Sequence, residues 1–431
     1  MFSKKTINDY DIAGKRVLLR ADYNVPLNDK GEVSSDYRIT RSLPTIKALQ
    51  DKGCKIIICS HLGRPKSSKD TEYSLKPVAK LLSKLLGQPV LFAADCIGDE
   101  VSETAKNLQA GEILLLENLR FYEEEEANDP EFAQKLVDVT HAEVFVQDGF
   151  GVVHRAHAST DAIARLLPSV AGLLLEKEVD IITDIMHNPK HPFMAIIGGA
   201  KIADKIDIIH AFIEKADIIA IGGAMANTFL KAQGVEVGES LVDSSELSVA
   251  QDVMDKARAE SKKRDFVFYL PQDGVVSTKI SSKTTTRIVD WDAKVIAEIE
   301  SYPAKPSRAS GVVASHEKIL DIGPFSGAFI AGAIQLVDTV VWNGTMGVSE
   351  TPALHGPIGP FAHGTELVIE ALVGQYGHKP FSVIGGGDTT GYLEARGMTD
   401  MFSHVSTGGG ASLELMSGKD LPGVSVLWDK D

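Results

Sequence analysis

Short apolar runs that stop at glycine or at a charged side chain, spaced by amphipathic stretches, recur along the whole chain and restrict its fold more than any other feature. In the first half they are "RVLLRADYNVP" (16–26), "CKIIICSHLGRP" (54–65), "EILLLENLRFY" (112–122) and "EVFVQDGFGVV" (143–153). In the second they are "PFMAIIGGAK" (192–201), "DIIAIGGAMA" (217–226), "FVFYLPQD" (266–273), "DTVVWNG" (338–344) and "PFSVIGGGD" (380–388). Helical patterns such as "SLKPVAKLLSKLL" and "DPEFAQKLVDVT" lie between them. Strands apolar throughout are buried on both faces, and helices between them supply the cover, so the pattern predicts α/β units with parallel sheets.

The chain has 431 residues, more than one core usually supports, which predicts two domains. The stretch "LLPSVAGLLLEKEVDIITDIMHN", 166–188, reads as one long helix between the two series of strands. Residues from Thr278 to Lys318, including "ISSKTTTR" and "PAKPSRASG", read as surface loops, and the run "EEEE" at 123–126 as a solvated face. A formal charge of -15 argues against nucleic acid or an anionic membrane as partner, so any anion must be drawn by a local basic cluster. Three cysteines, Cys54, Cys59 and Cys96, form no C-x-x-C pair, and the start "MFSKKTINDYDIAGKR" has no apolar signal core. No run approaches the length of a membrane span. The expectation is a soluble cytoplasmic protein with reduced thiols.

Parallel sheets bind ligands beyond the carboxyl ends of their strands, so the residues there carry the functional reading. In the first half they are Asp22 and Asn24, His61 and Arg64, Arg120, and, after Gly149 to Gly151, His154, Arg155 and His157. Arg38, just before an apolar helix, can join them. Several arginines gathered on one edge repel one another unless an anion fills the site, so this edge predicts an anionic small molecule.

In the second half the ends carry glycines: Gly198–Gly199, Gly222–Gly223, Gly344, Gly385–Gly387 and Gly408–Gly410. Glycine admits close approach of backbone to phosphate, and a helix N-terminus beyond it favours an anion. Lys201 and Lys205, four apart, would lean toward such an anion from one helical face, or else be two solvated lysines. "GGGDTT" adds Asp388, suited to magnesium, and Thr389, suited to phosphate. Neither G-x-x-x-x-G-K-[ST] nor G-x-G-x-x-G is present, which sets aside a P-loop and a dinucleotide-dependent dehydrogenase. One half suited to an anionic metabolite and the other to a metal nucleotide predict phosphoryl transfer; a two-domain binding protein that closes on an anion is the other class considered.

The motifs "RADYNVP", "SHLGRP", "ENLRF", "FGVVHRAHAS", "GGAKIADKI", "GGAMANTFLK", "VWNGTMGVSE", "GGGDTT" and "STGGGASLE" together resemble those of the phosphoglycerate kinases, in order and over nearly the whole chain. The resemblance implies two Rossmann-like α/β domains with parallel sheets, joined by a long inter-domain helix and hinge. It implies a phosphoglycerate-binding domain of residues 1–170 plus 408–431, an inter-domain helix at 171–188 and a nucleotide-binding domain at 189–407. The implied reaction is reversible in-line transfer from 1,3-bisphosphoglycerate to MgADP after domain closure, giving 3-phosphoglycerate and ATP, in a cytoplasmic monomer.

Carried over by motif, Asp22, Asn24, Arg38, His61, Arg64, Arg120 and Arg155 would hold the phosphoglycerate. Lys205, Gly222, Glu350, Gly386, Gly387, Asp388 and Thr389 would hold the nucleotide, with Asp388 on Mg²⁺. Arg38 and Lys201 would be catalytic, facing the transferring group. Thr345 and Ser349 stand where the family usually has proline and phenylalanine, close to the expected base and ribose, which bears on nucleotide preference.

Overall fold

A computed structural model describes residues 2–67, 70–291 and 312–430. The chain divides into two compact units, Met1–Asp184 with Thr407–Asp431, and Ile185–Ser406. The division falls within the helix Leu173–His187.

In the first unit, strands β1 (Arg16–Arg20), β2 (Lys55–Cys59), β3 (Leu91–Phe92), β4 (Ile113–Leu115), β5 (Val144–Gln147) and β6 (Ser169–Ala171) form one parallel sheet in the order β3-β4-β2-β1-β5-β6. Its apolar strands serve two cores. Val17, Leu19, Ile56 and Ile58 face one buried cluster, while Leu18, Ile57 and Phe145 face the other. The two-residue repeat of a strand divides each run between both faces, so each face needs its own helical cover. β2, β4 and β3 lie on one side of β1 and β5 and β6 on the other, so the topology reverses beside β1, where ligands bind in such sheets.

The second unit repeats the plan with β7 (Phe193–Ile197), β8 (Ile218–Ile221), β9 (Val267–Tyr269), β13 (Thr339–Asn343), β14 (Phe381–Gly385) and β15 (His404–Val405) in the order β15-β14-β13-β7-β8-β9. Its reversal falls between β7 and β13, paired in register from Phe193↔Thr339 to Ile197↔Asn343. A separate antiparallel sheet, β11-β10-β12, is made by β10 (Asp273–Ser277), β11 (Arg287–Asp290) and β12 (Lys318–Ile322).

Several expectations are corrected. Residues 166–188 are not one helix. Pro168 and Gly172 bracket β6, which completes the first sheet beside β5, and the helix begins at Leu173. The stretch from Thr278 to Lys318 contains strand β11, whose Val289 is buried in a small cluster with Val276 and Val313; residues 292–311 of it, including all of "PAKPSRASG", lie outside the described residues. The run 123–126 is not a solvated face either. It is a series of turns, and a turn aims neighbouring side chains in different directions, so Glu125 enters the core with no exposed surface.

Candidate functional site

At the carboxyl edge of the first sheet, the residues after β1, β2, β4 and β5 converge. Arg38, in the first turn of the helix Tyr37–Asp51, donates to the Asn24 carbonyl at 2.8 Å and stands 3.2 Å from Asp22 Oδ2. Asn24 Oδ1 accepts from the Gly63 amide at 2.9 Å, and the Gly63 carbonyl accepts from Arg120 Nη1 at 2.8 Å. Gly63 thereby ties the Asp22–Asn24–Arg38 group to a second group, in which Arg64, Arg120 and Arg155 line a cavity of about 370 Å³. Arg64 and Arg155 are exposed, whereas Arg120 lies 3.0 Å from Glu126 and is mostly buried. Gly151 is required beside this edge, because a Cβ there would lie 2.1 Å from Asp22 Oδ2.

His61 follows β2 and is buried. Burial, reinforced by Arg20, Arg120 and Arg38, pushes its imidazole well below the ordinary value. His157 is pushed down to about 4, again by burial and then by Arg120 and Arg20. Both rings are therefore neutral near pH 7, and the positive charge of this edge belongs to its arginines.

In the second unit the corresponding edge is lined by glycines. Gly199, Gly223 and Gly344 all take positive φ, at +100°, +65° and +94°. A Cβ on Gly223 would lie 2.4 Å from the Gly199 amide nitrogen, and one on Gly344 would lie 2.3 Å from the Gly198 carbonyl oxygen. The backbone turns after β7, β8 and β13 can nest against one another only without side chains.

Lys205 projects into this nest. Its Nζ donates to the Gly198 carbonyl at 2.6 Å and to Asn343 Oδ1 at 2.7 Å. Burial lowers its pKa to about 8 despite Asp388 and Asp204, which act in the other direction. A partly dehydrated cation held only by neutral oxygens is a site prepared for an anion. Beside it, a cavity of about 1160 Å³ is lined by Gly199, Gly223, Thr345, Ser349, Glu350, Gly387 and Asp388, among others. The helix Gly387–Ala395 begins at its wall, with Asp388 exposed in the first turn and Thr389 Oγ1 accepting from the Gly344 amide at 2.9 Å. Thr345 Oγ1 donates to the Gly347 carbonyl at 3.0 Å, so this side chain is engaged within its own loop.

Three expectations change here. Lys201 and Lys205 do not share a helical face. Gly199 turns the chain, residues up to Ile202 form a loop, Ala203–Lys205 is a short 3₁₀ turn, and the α-helix starts at Ile206. Lys205 consequently folds back beneath the strand ends while Lys201 stays exposed on the loop. Gly222 packs beneath Met346, where a Cβ would lie 2.5 Å from the sulfur, and it is Gly223 that lines the cavity. Gly344 precedes no helix directly; an irregular loop runs from it to the helix His363–Leu372.

A family model for phosphoglycerate kinase matches residues 7–419. The chain belongs to the phosphoglycerate kinase family. It is 46% identical over 431 residues to a phosphoglycerate kinase of Dictyoglomus turgidum, covering 99% of this chain and 100% of that one. It is 45% identical to a cytosolic phosphoglycerate kinase of Triticum aestivum, over 98% of this chain and 97% of the relative. Among solved structures, the phosphoglycerate kinase of Coxiella burnetii matches with a TM-score of 0.78 at 35% identity, covering 98% of each chain. That of Pyrococcus horikoshii matches at 0.77 and 30%, covering 99% of this chain and 98% of that one. As a phosphoglycerate kinase, the enzyme transfers a phosphoryl group reversibly between 1,3-bisphosphoglycerate and ADP.

Sequence reading missed the buried side chains under the first edge. Arg20, the last residue of β1, is 1% exposed, and its Nε donates to Ser159 Oγ at 2.7 Å. Ser159 in turn donates to Glu125 Oε1 at 2.6 Å. Arg20 stands in an apolar run and Glu125 in an acidic one, so neither carries a local signal.

Proposed function

We propose that each unit carries one substrate. In the first, Arg38, Arg64, Arg120 and Arg155 neutralise the phosphoglycerate, and Asp22, Asn24 and His61 fix its hydroxyl and carboxyl ends. In the second, the amides around Gly199, Gly223, Gly386 and Gly387 receive the nucleotide, Lys205 meets its phosphates, Thr389 supports the loop beneath them, and Glu350 takes the ribose hydroxyls. Gly222 serves as the packing residue that lets Gly223 approach.

The observation that carries this reading is Lys205, whose charge sits among neutral oxygens beside a cavity of nucleotide size. An acyl phosphate donor and a phosphate acceptor need neither a covalent intermediate nor a strong base, so positioning and charge stabilisation suffice. Arg38, fixed by Asp22 and the Asn24 carbonyl, neutralises charge on the donor side, and the exposed Lys201 can follow the phosphoryl group.

Magnesium fits Asp388. Among the described residues no group of three or more His, Cys, Asp or Glu side chains could hold a metal. Asp388 is exposed on the cavity wall in the first turn of its helix, and one carboxylate there suits an ion that takes its other ligands from phosphates and water. When bound, Mg²⁺ would neutralise the nucleotide phosphates. We place the enzyme in the cytoplasm as a monomer; its three cysteines are buried and unpaired, as a reducing compartment allows. Neither nucleic acid nor membrane belongs to this reading; among the described residues no helix is long and apolar enough to cross a membrane.

The test is calorimetric binding of ADP with Mg²⁺ and with a chelator, for the wild type and Asp388→Asn. The wild type should bind MgADP more tightly than free ADP, and the variant should lose that difference. An undiminished magnesium effect in the variant would remove Asp388 as the ligand.

A further inference from the structure

Beneath the phosphoglycerate edge lies a fully buried polar chain whose hydrogen-bond directions can be worked out atom by atom. Arg20 Nη1 donates to the Ala21 carbonyl, Nε donates to Ser159 Oγ, and Nη2 lies 3.3 Å from His61 Nδ1. Ser159 passes its own proton to Glu125 Oε1, and the Ser159 amide donates to Glu125 Oε2 at 3.0 Å. Glu125 Oε1 is 4.0 Å from Arg20 Nη2, so the two buried charges compensate each other.

A guanidinium has only donors. The contact at Nδ1 is therefore a hydrogen bond only if that nitrogen is the unprotonated one; a proton there would set two buried donors against each other. The nearest carboxylate that could hold an Nδ1 proton, Asp22, is 4.0 Å away and already engaged by Arg38 and the Asn24 amide. The other groups facing the ring, Arg38, Arg120 and His157, carry positive or no charge and oppose a further proton.

We propose that Arg20, backed by Ser159 and Glu125, is a positioning residue that fixes His61 in the neutral tautomer bearing its proton on Nε2, so that His61 offers the phosphoglycerate a hydrogen-bond donor and no charge. The arginines supply the attraction for the anion; His61 adds direction without changing charge through neutral pH. This inference rests on the assignment of His61 to the phosphoglycerate. It accounts for a buried ion pair at a place where apolar side chains would cost less to bury.

Nitrogen-15 NMR of the histidines in the full-length wild-type enzyme tests it, with His61 identified from the signal lost in His61→Gln. Across the range in which a free imidazole titrates, about pH 5.5 to 8, Nδ1 should stay unprotonated and Nε2 protonated. Adding 3-phosphoglycerate should shift the Nε2–H resonance. A proton on Nδ1, or titration near the ordinary value, would overturn the inference. A fixed tautomer whose resonances ignore 3-phosphoglycerate would uphold the positioning and remove His61 from the substrate site. In a double variant, Arg20→Gln with Glu125→Gln, both buried charges go together. His61 should then lose its single fixed tautomer while burial, Arg120 and Arg38 keep the ring neutral, and KM for 3-phosphoglycerate should rise about tenfold with a much smaller change in kcat, the scale of one lost hydrogen bond to a charged group. Retention of the wild-type tautomer and KM in that folded variant would refute the role of Arg20; if it does not fold, the wild-type spectrum decides alone.

Discussion

Raising the pH through 8 should release ADP from this enzyme, and Lys205 is the reason. Its pKa is lowered from 10.5 to about 8 because its cation is buried among neutral oxygens. A bound phosphate would supply the missing counter-charge and return the pKa toward its ordinary value. Affinity is then full below pH 8 and falls as the free enzyme loses this proton above it. With a free-state pKa of 8, about a tenth of Lys205 is neutral at pH 7 and nine-tenths at pH 9, so the ADP Kd should rise about tenfold between them, roughly 1.4 kcal/mol. At pH 8 binding should take up about half a proton, which calorimetry in buffers of different ionisation enthalpy measures directly. Lys205→Gln should bind ADP weakly and with no pH dependence over this interval. Flat wild-type affinity from pH 7 to 9 with no proton uptake would refute the reasoning and place the Lys205 proton outside the binding equilibrium.

Two further outcomes follow from the same geometry. Arg38→Ala should lower kcat by about 10³-fold, the scale of an arginine that stabilises a phosphoryl-transfer transition state, and a loss of tenfold or less in steady-state assays would remove it from that role. Gly344→Ala puts a Cβ 2.3 Å from the Gly198 oxygen and 2.7 Å from Lys205 Nζ, at a φ of +94°. Denaturant unfolding should show a loss of about 2 kcal/mol or more together with weaker ADP binding, and a wild-type midpoint would contradict the nested turns.

The relation between sequence and site differs from residue to residue for physical reasons. Asp22, His61, Arg120 and Arg155 could be placed on one edge because a strand that is apolar throughout announces its own carboxyl end, and parallel pairing brings those ends together. The glycines after β7, β8 and β14 could be read in the same way. Lys201 and Lys205 could not, because four residues of spacing define a shared face only inside a helix, and the Gly199 turn delays the helix to Ile206. β6 escaped notice because three residues between Pro168 and Gly172 carry too little pattern, while β11 was concealed by the polar residues around it.

The sequence by itself determined the class of fold, the number of units and the identity of most side chains gathered at the strand ends, since burial on both sheet faces and the chemistry at strand ends are local properties written in composition and period. Only the tertiary structure decided which carboxylates are buried and which histidines are neutral, while the return of the last segment to the first unit was implied by the family resemblance and by nothing in its own pattern. Glu125 lies in a row of four glutamates identical in type, and nothing local distinguishes the one that meets Ser159 and Arg20. Likewise Thr407–Asp431 clusters with the first unit through contacts such as the Gly423 amide on the Val153 carbonyl and the Trp428 amide on the Ser169 carbonyl. These are contacts across hundreds of residues of chain, and their energies depend on dehydration and neighbouring charge, which exist only once the fold has closed around them.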